Sequence, residues 1–229
     1  QHRHQQRRFD GDERHQRRDR QRDPNPKEQK RIEAARRIWR DSKLAPETLV
    51  EIYLKSRGIT VSPPPSLRYH PALRHKPTAS LLPAMVGGIQ GQDGSITGVH
   101  RTFLDLRGRK AVGTQNKMML GRCSGGAVRL ALVGEKMAVG EGIETALSVQ
   151  QATGIPTWAA LSTSGLTALV LPEEVCEVII FADADKAGEK AALAAAKRFS
   201  TEGRTVRIAR PPEGASDFND VLMKEASGD

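Results

Sequence analysis

The chain has 229 residues, a net charge of +9 and an aromatic content of only 4%, so one or two domains with a core of Val, Ile, Leu and Ala are expected. No apolar run is long enough to span a bilayer and no secretory signal opens the chain, which points to a soluble, cytoplasmic protein. Its two cysteines, Cys123 and Cys176, lie far apart without a CxxC partner, which excludes a zinc ribbon and argues against a disulfide framework.

The charge is divided unevenly. The first 134 residues hold 27 Lys and Arg against 12 Asp and Glu, and the remainder hold 9 against 15. A basic half joined to an acidic half suits a protein that holds a polyanion with one part and divalent cations with the other. An Arg-rich tail on an ordinary surface would give the same totals. The chain does not begin with Met, which suggests a piece of a larger protein.

Residues 1–26 are a low-complexity stretch of Arg, Gln, Asp and His with Phe9 as the only large apolar side chain. Such a segment buries too little to offset its ordering entropy and reads as a disordered basic tail. From Lys27, Ile32, Ala35, Ile38 and Trp39 recur at helical spacing. A second helix is expected from Pro46, with Leu49, Val50, Tyr53 and Leu54 inward and Gly58 as its stop. The Pro-rich segment from Ser62 to Ser66 reads as a linker-like break. Residues 84–131 read as a small β-rich unit with Gly-containing turns and scattered cations, among them Arg101, Arg109, Lys110, Lys117, Arg122 and Arg129. Such a surface suits a phosphate backbone, although a solvated face would look the same. Residues 27–134 are therefore taken as a basic helical and β-rich subdomain.

From residue 135 the rhythm changes. Apolar strands at Met137–Gly140, Thr157–Leu161, Val178–Ala182 and Thr205–Ala209 alternate with helices, the longest running from about Ala187 to Phe199 and the last near Asp217 to Glu225. A small-residue turn is expected at Ser162–Gly165. This alternation implies an α/β domain with a parallel sheet between helices.

Open sheets of this kind bind ligands beyond the carboxyl ends of their strands. Glu141 lies just past the first strand, between Gly140 and Gly142, and Asp183 and Asp185 lie just past the third. Each has a structural alternative. Glu141 could complement a helix dipole, and the Asp pair could be turn and cap residues. Their combination in one sheet favours a site, because converging carboxylates repel unless a hard cation neutralises them. Oxygen-only ligands select Mg²⁺ or Mn²⁺.

The segments Val139-Gly140-Glu141-Gly142, Phe181-Ala182-Asp183-Ala184-Asp185-Lys186-Ala187-Gly188 and Asp217-Phe218-Asn219-Asp220 resemble the three signatures of the Toprim domain. That domain is shared by DnaG-type primases, type IA and II topoisomerases, OLD-family nucleases and RNase M5. The resemblance implies a Rossmann-like, mainly parallel four-stranded sheet over residues 135–229. It also implies Glu141 as catalytic glutamate, a general acid/base or a metal ligand, catalytic Asp183 and Asp185 as Mg²⁺ ligands, and Asp217 as a further ligand, with Asn219 and Asp220 as looser third-signature candidates.

Upstream, Thr97 to Leu104, Lys117 to Gly121 and Gly125 to Leu130 resemble the basic subdomain before Toprim in phage- and plasmid-type primases. By that resemblance Arg101, Lys110, Lys117, Arg122 and Lys186 are candidates for template or nucleotide contacts. The implied activity is Mg²⁺-dependent synthesis of RNA primers on single-stranded DNA from NTPs. A zinc-binding or helicase domain would lie elsewhere in a longer protein. Two rival expectations are a Toprim nuclease and a catalytically silent nucleic-acid-binding module of a plasmid or phage replication or conjugation protein.

Overall fold

The computed structural model describes residues 23–111 and 115–227. Of the expected disordered tail, residues 1–22 lie outside the described residues. Asn25 and Pro26 already belong to the start of a helix.

That helix, α1 (Pro26–Asp41), is capped by the Asn25 side chain, which accepts from the Glu28 N–H, and it has Pro at its first position. It buries Ile32 and Ala35. After a two-residue strand, β1 (Lys43–Leu44), the second helix, α2 (Leu49–Lys55), begins later than Pro46 suggested. Its cap is Thr48, whose side-chain oxygen accepts from the Val50 N–H.

Next come β2 (Leu67–His75), β3 (Ser80–Gln90), β4 (Ile96–Phe103), β5 (Lys117–Gly121) and β6 (Ala127–Arg129). The C-terminal part contributes β7 (Lys136–Gly140), α3 (Ile143–Thr153), β8 (Thr157–Ala159), α4 (Thr163–Ala168), β9 (Glu177–Phe181), α5 (Lys186–Thr201), β10 (Thr205–Ala209) and α6 (Phe218–Ser227). The small-residue turn expected at Ser162–Gly165 is the start of α4, with Ser162 accepting from the Gly165 N–H.

The strands make one sheet. In the C-terminal part the order β8-β7-β9-β10 is parallel throughout, as expected of a Rossmann-like unit. The N-terminal strands are antiparallel. Strand β3 pairs with β4 on one side and with β2 on the other, until its last two residues, Ile89 and Gln90, pair with β6 instead. Strand β6 in turn pairs antiparallel with β8. The three residues of β6 thus weld the β-rich region to the parallel sheet, so both halves share a rigid frame.

Side-chain alternation along the strands then assigns faces. On one face, Ala138, Ile179 and Phe181 pack with Tyr53, Leu54, Leu67 and Met85 from the N-terminal region and with Ile143, Ala146 and Leu147 of α3. On the other, Met137, Val139, Val178 and Ile180 pack under α4 and α5 through Leu166, Ala191, Ala192, Ala195 and Phe199. Farther along that sheet, Val86, Val99 and Phe103 pack with Ala35 of α1. The first of these cores is built from both halves of the chain.

Candidate active site

Glu141 follows β7 directly, and its backbone is held by its neighbours. The Ala160 N–H donates to the Gly140 carbonyl at 2.7 Å and the Leu161 N–H donates to the Glu141 carbonyl at 2.9 Å. Leu161 does this with a φ of 74°, a left-handed conformation that costs a non-glycine residue about 1–2 kcal/mol. Gly140 permits a close approach of another kind. A Cβ there would lie 2.0 Å from the Phe181 ring of the adjacent strand β9. Glu141 precedes the cap of α3, which is Gly142 without a side-chain cap bond, so it is not a first-turn dipole residue.

Asp183 and Asp185 follow β9. Asp185 caps α5 by accepting from the Gly188 N–H at 2.6 Å through Oδ1. Gly188 matters in its own right, because a Cβ there would press within 3.0–3.2 Å of the carbonyl oxygen and Cβ of Asp183. Asp217 precedes α6 and its Oδ1 accepts from the N–H groups of Asn219 and Asp220 at 2.7 and 2.9 Å. Asp220 reaches back to accept from the Ser216 N–H at 3.2 Å, a reciprocal cap. Asp183, Asp185 and Asp217 line one open cleft with Ala215 and Ser216.

The electrostatics of these groups are coupled. Burial, then the neighbouring charges of Asp183 and Asp185, pushes the Glu141 carboxyl up to about 7. Burial and the charges of Asp217 and Asp185 also raise Asp183, with Lys117 acting in the opposite sense. Oε1 of Glu141 and Oδ1 of Asp183 are buried without a hydrogen-bond partner. Orphaned carboxylate oxygens beside like charges are what a hard cation would satisfy, and the donors are all oxygen. Among the described residues, however, no three such side chains stand close enough together to hold a metal ion directly. The donor set therefore fits a Mg²⁺-type ion bound through one or two carboxylates and its own waters.

The basic candidates separate into two groups. Lys117 donates to Oε2 of Glu144 at 3.0 Å, and the Lys110 ammonium lies 3.8 Å from Oε1 of the same carboxylate. Burial lowers the Lys110 pKa, and Asp217 lies near enough to oppose that shift. Each lysine is thus paired to Glu144 and feels the charge of one cleft aspartate, Lys117 that of Asp183 and Lys110 that of Asp217. Lys186 opens α5, exposed beside Asp185.

Arg101 and Arg122 are not brought to the cleft. On β4 the side chains alternate, so Arg101 shares the α1 face with Val99 and Phe103. It is 7% exposed there and donates to the Met119 carbonyl. Arg122 makes a two-pronged ion pair with Glu28 of α1 at 2.8 and 3.3 Å. Asn219 is fully buried and donates to the Arg57 carbonyl at 2.8 Å and to the Ser148 hydroxyl at 2.9 Å. It fastens α6 to α3 and to the chain after α2.

Glu144 itself is absent from the sequence-derived candidates. It is 4% exposed and accepts from the Tyr53 hydroxyl at 2.5 Å. Burial opposes its charge, yet Lys117, Lys110 and Tyr53 hold its carboxyl down at about 2. A signal was present, because Glu144 lies one helical turn before Leu147 and beside Ile143, on the apolar face of α3. His100, on the opposite face of β4 from Arg101, is buried nearby with Nδ1 unpartnered, and burial lowers its pKa to about 4.

Residues 136–228 match the family model described as the Toprim domain. The C-terminal part of this chain is a Toprim domain. Residues 29–130 match a model described only as a domain of unknown function, DUF7146. No curated protein matches the chain in sequence.

Among solved structures, a DNA primase domain from Pseudomonas aeruginosa is similar with a TM-score of 0.55 at 16% identity, over 85% of this chain and 74% of that one. A DnaG primase catalytic domain bound to ssDNA gives 0.53 at 15% identity, over 88% and 79%. The primase fragment of the bacteriophage T7 primase-helicase protein gives 0.50 at 18%, over 82% and 71%. The similarity extends well beyond the Toprim domain, so the β-rich region and the Toprim sheet together have the fold of DnaG-type primase cores. No helix among the described residues is long and apolar enough to cross a membrane.

Proposed function

We propose that this protein is the polymerase core of a DnaG-like primase, a nucleotidyltransferase that makes RNA primers on single-stranded DNA. The observation that carries this reading is the juxtaposition of two flanks. Toprim carboxylates Glu141, Asp183, Asp185 and Asp217 form one, and Lys110 and Lys117 of the β-rich region form the other. In this reading residues 27–134 supply the basic flank and residues 135–229 the acidic one, with residues 1–26 as a basic tail.

A bound Mg²⁺ or Mn²⁺ would neutralise phosphate charge and acidify the 3′-hydroxyl. One or two of Glu141, Asp183 and Asp185 would hold it directly and the rest through its waters, with Asp217 as a further candidate. Glu141, held near 7, is suited to accept a proton at neutral pH. Lys110 and Lys117 would take phosphate oxygens of the NTP or template, and exposed Lys186 would meet the strand at the rim of the cleft. Asn219 and Asp220 act on this site through position, by fixing the start of α6. Arg101 and Arg122 serve the β-rich scaffold that carries the lysines. Single-stranded DNA and NTPs are then the partners, in a reducing cytoplasm. A helicase or zinc-binding domain belongs to a longer protein of phage or plasmid type.

Primer synthesis on mixed-sequence single-stranded DNA with Mg²⁺ or Mn²⁺ tests the reading. Product that requires NTPs and disappears with EDTA is expected. Cleavage of the strand without NTPs would replace the polymerase with a Toprim nuclease. Salt-sensitive but EDTA-insensitive binding without turnover would leave a silent binding module.

A further inference from the structure

A fully buried carboxylate with two half-exposed ammonium partners is an unusual expenditure for a helix face. Glu144 sits where α3 otherwise places Ile143, Ala146 and Leu147. An apolar residue of similar volume would pack there without desolvating a charge, and buried ion pairs often stabilise less than such a replacement. The lysines do not need Glu144 to be solvated, since their side chains remain 35% and 39% exposed. What Glu144 does give them is direction. Each of its oxygens faces a different lysine, Oε1 towards Lys110 and Oε2 towards Lys117. The carboxylate is itself oriented by the Tyr53 hydroxyl, bonded to Oε1 at 2.5 Å. The two lysines come from either side of residues 112–114, while Tyr53 comes from α2 and Glu144 from the Toprim helix that follows Glu141.

We propose that Glu144 is a positioning residue for the reaction, splaying Lys110 and Lys117 into a two-pronged anion clamp that holds the triphosphate of the incoming nucleotide against the carboxylate cleft. Tyr53 sets the rotation of that carboxylate. The inference rests on the reading of the two lysines as phosphate contacts. It adds that their spacing is imposed from beneath by a residue that never touches substrate. Each lysine also lies near one cleft aspartate, Lys117 near Asp183 and Lys110 near Asp217, so a wandering ammonium would pair with a metal ligand instead of a phosphate. A fixed buried anion prevents that collapse by holding both cations from the opposite side.

The test compares the 229-residue chain with Glu144→Gln, which keeps volume and an acceptor for Tyr53 but removes the charge, and with Tyr53→Phe. Inorganic tripolyphosphate without metal is titrated by calorimetry, and NTP-dependent synthesis is measured in parallel. Glu144→Gln is expected to weaken tripolyphosphate binding and raise KM for NTP by roughly tenfold, leaving kcat within about twofold. Tyr53→Phe is expected to do the same by roughly threefold, as one or two charge-assisted contacts lose their geometry. Glu144→Asp should recover part of the binding. Unchanged tripolyphosphate binding in a folded Glu144→Gln, or in Tyr53→Phe if the former does not fold, overturns the proposal. So does a fall in kcat at constant KM that tracks lost thermal stability. A wild-type protein that binds tripolyphosphate but synthesises nothing would sink the primase reading alone.

Discussion

The two flanks of the cleft are built by opposite strategies. The acidic flank is held by backbone. Glu141 follows β7 directly and Asp183 lies two residues past β9, Asp185 and Asp217 cap helices, and glycines at 140 and 188 let neighbouring atoms approach closely. The basic flank is held by side chains, with Lys110 and Lys117 both paired to the buried Glu144, which Tyr53 in turn hydrogen-bonds. Carboxylates that must meet a hard cation gain from short tethers on rigid junctions, whereas long ammonium side chains must be aimed. The acidic flank should therefore fail through chemistry when altered, and the basic flank through affinity.

The largest effect is expected at the acidic flank. Glu141→Gln and Asp183→Asn should each reduce template-directed synthesis by on the order of 10²–10³-fold or more while leaving the circular dichroism spectrum and cooperative unfolding intact. Dinucleotide formation at near wild-type rates by either variant would break the assignment. Next comes the scaffold beneath that flank. Gly140→Ala would drive a methyl into the Phe181 ring and should destabilise the fold by about 1–3 kcal/mol, read by denaturant unfolding.

The basic flank should respond more gently. Lys117→Ala is expected to raise KM for NTP by roughly tenfold, about 1.4 kcal/mol, with kcat little changed. Arg101→Ala, on the other face of β4, should lower stability and leave KM alone. Equal KM effects from the two would mean that the two faces of the β4–β5 pair do not separate cleft from scaffold.

The smallest effect is a pH signature. Glu141 titrates near 7 in the folded protein against 4.5 as its ordinary value, so the native state binds that proton more tightly than the unfolded chain. Metal-free protein should then lose stability as pH rises from about 4.5 through about 7. Glu141→Gln removes the dependence and, discounted for partial exposure, should gain roughly 2–4 °C in Tm above pH 7 and nothing near pH 4. A gain that is equal at both pH values would show that repulsion with the aspartates is not its source.

Legibility in the sequence also differed between the regions. Apart from α4, which read only as a small-residue turn, the Toprim strands and helices could be placed within a few residues, because apolar runs such as Val178 to Ala182 and an Ala-rich helical face signal themselves locally. Strand β2 was missed. Its sequence carries Pro71 and scattered charges and reads as a continuation of the Pro-rich break. It tolerates them because the register shifts between His70 and Leu73, where a proline need not donate to the ladder. The start of α2 was misplaced for a related reason. Pro46 was a permissible first-turn residue, but Thr48 supplied the capping oxygen.

Among the candidate site residues, Glu141, Asp183 and Asp185 stood out because acids just past apolar strands form a local sequence pattern, and Asp185 and Asp217 prove to be helix caps. Arg101, Lys110, Lys117 and Arg122 were indistinguishable as letters. Whether a cation points into a cleft, into a core or onto Glu28 depends on strand parity and on partners 94 residues away for Arg122. Asn219 looked like part of a signature and turned out to be a buried fastener between α6, α3 and the segment after α2.

By itself the sequence determined the alternating strands and helices of the Toprim part and the acids at their junctions, since periodicity and neighbouring glycines are local properties. Only the tertiary structure decided that β6 joins the two halves in one sheet and that Lys110 and Lys117 gather on Glu144 while Arg101 turns to the α1 face and Arg122 to Glu28. It alone revealed that a buried Glu144 lies between two segments of the N-terminal region. Those facts depend on pairing between distant strands and on which face each side chain takes, and no local pattern encodes either.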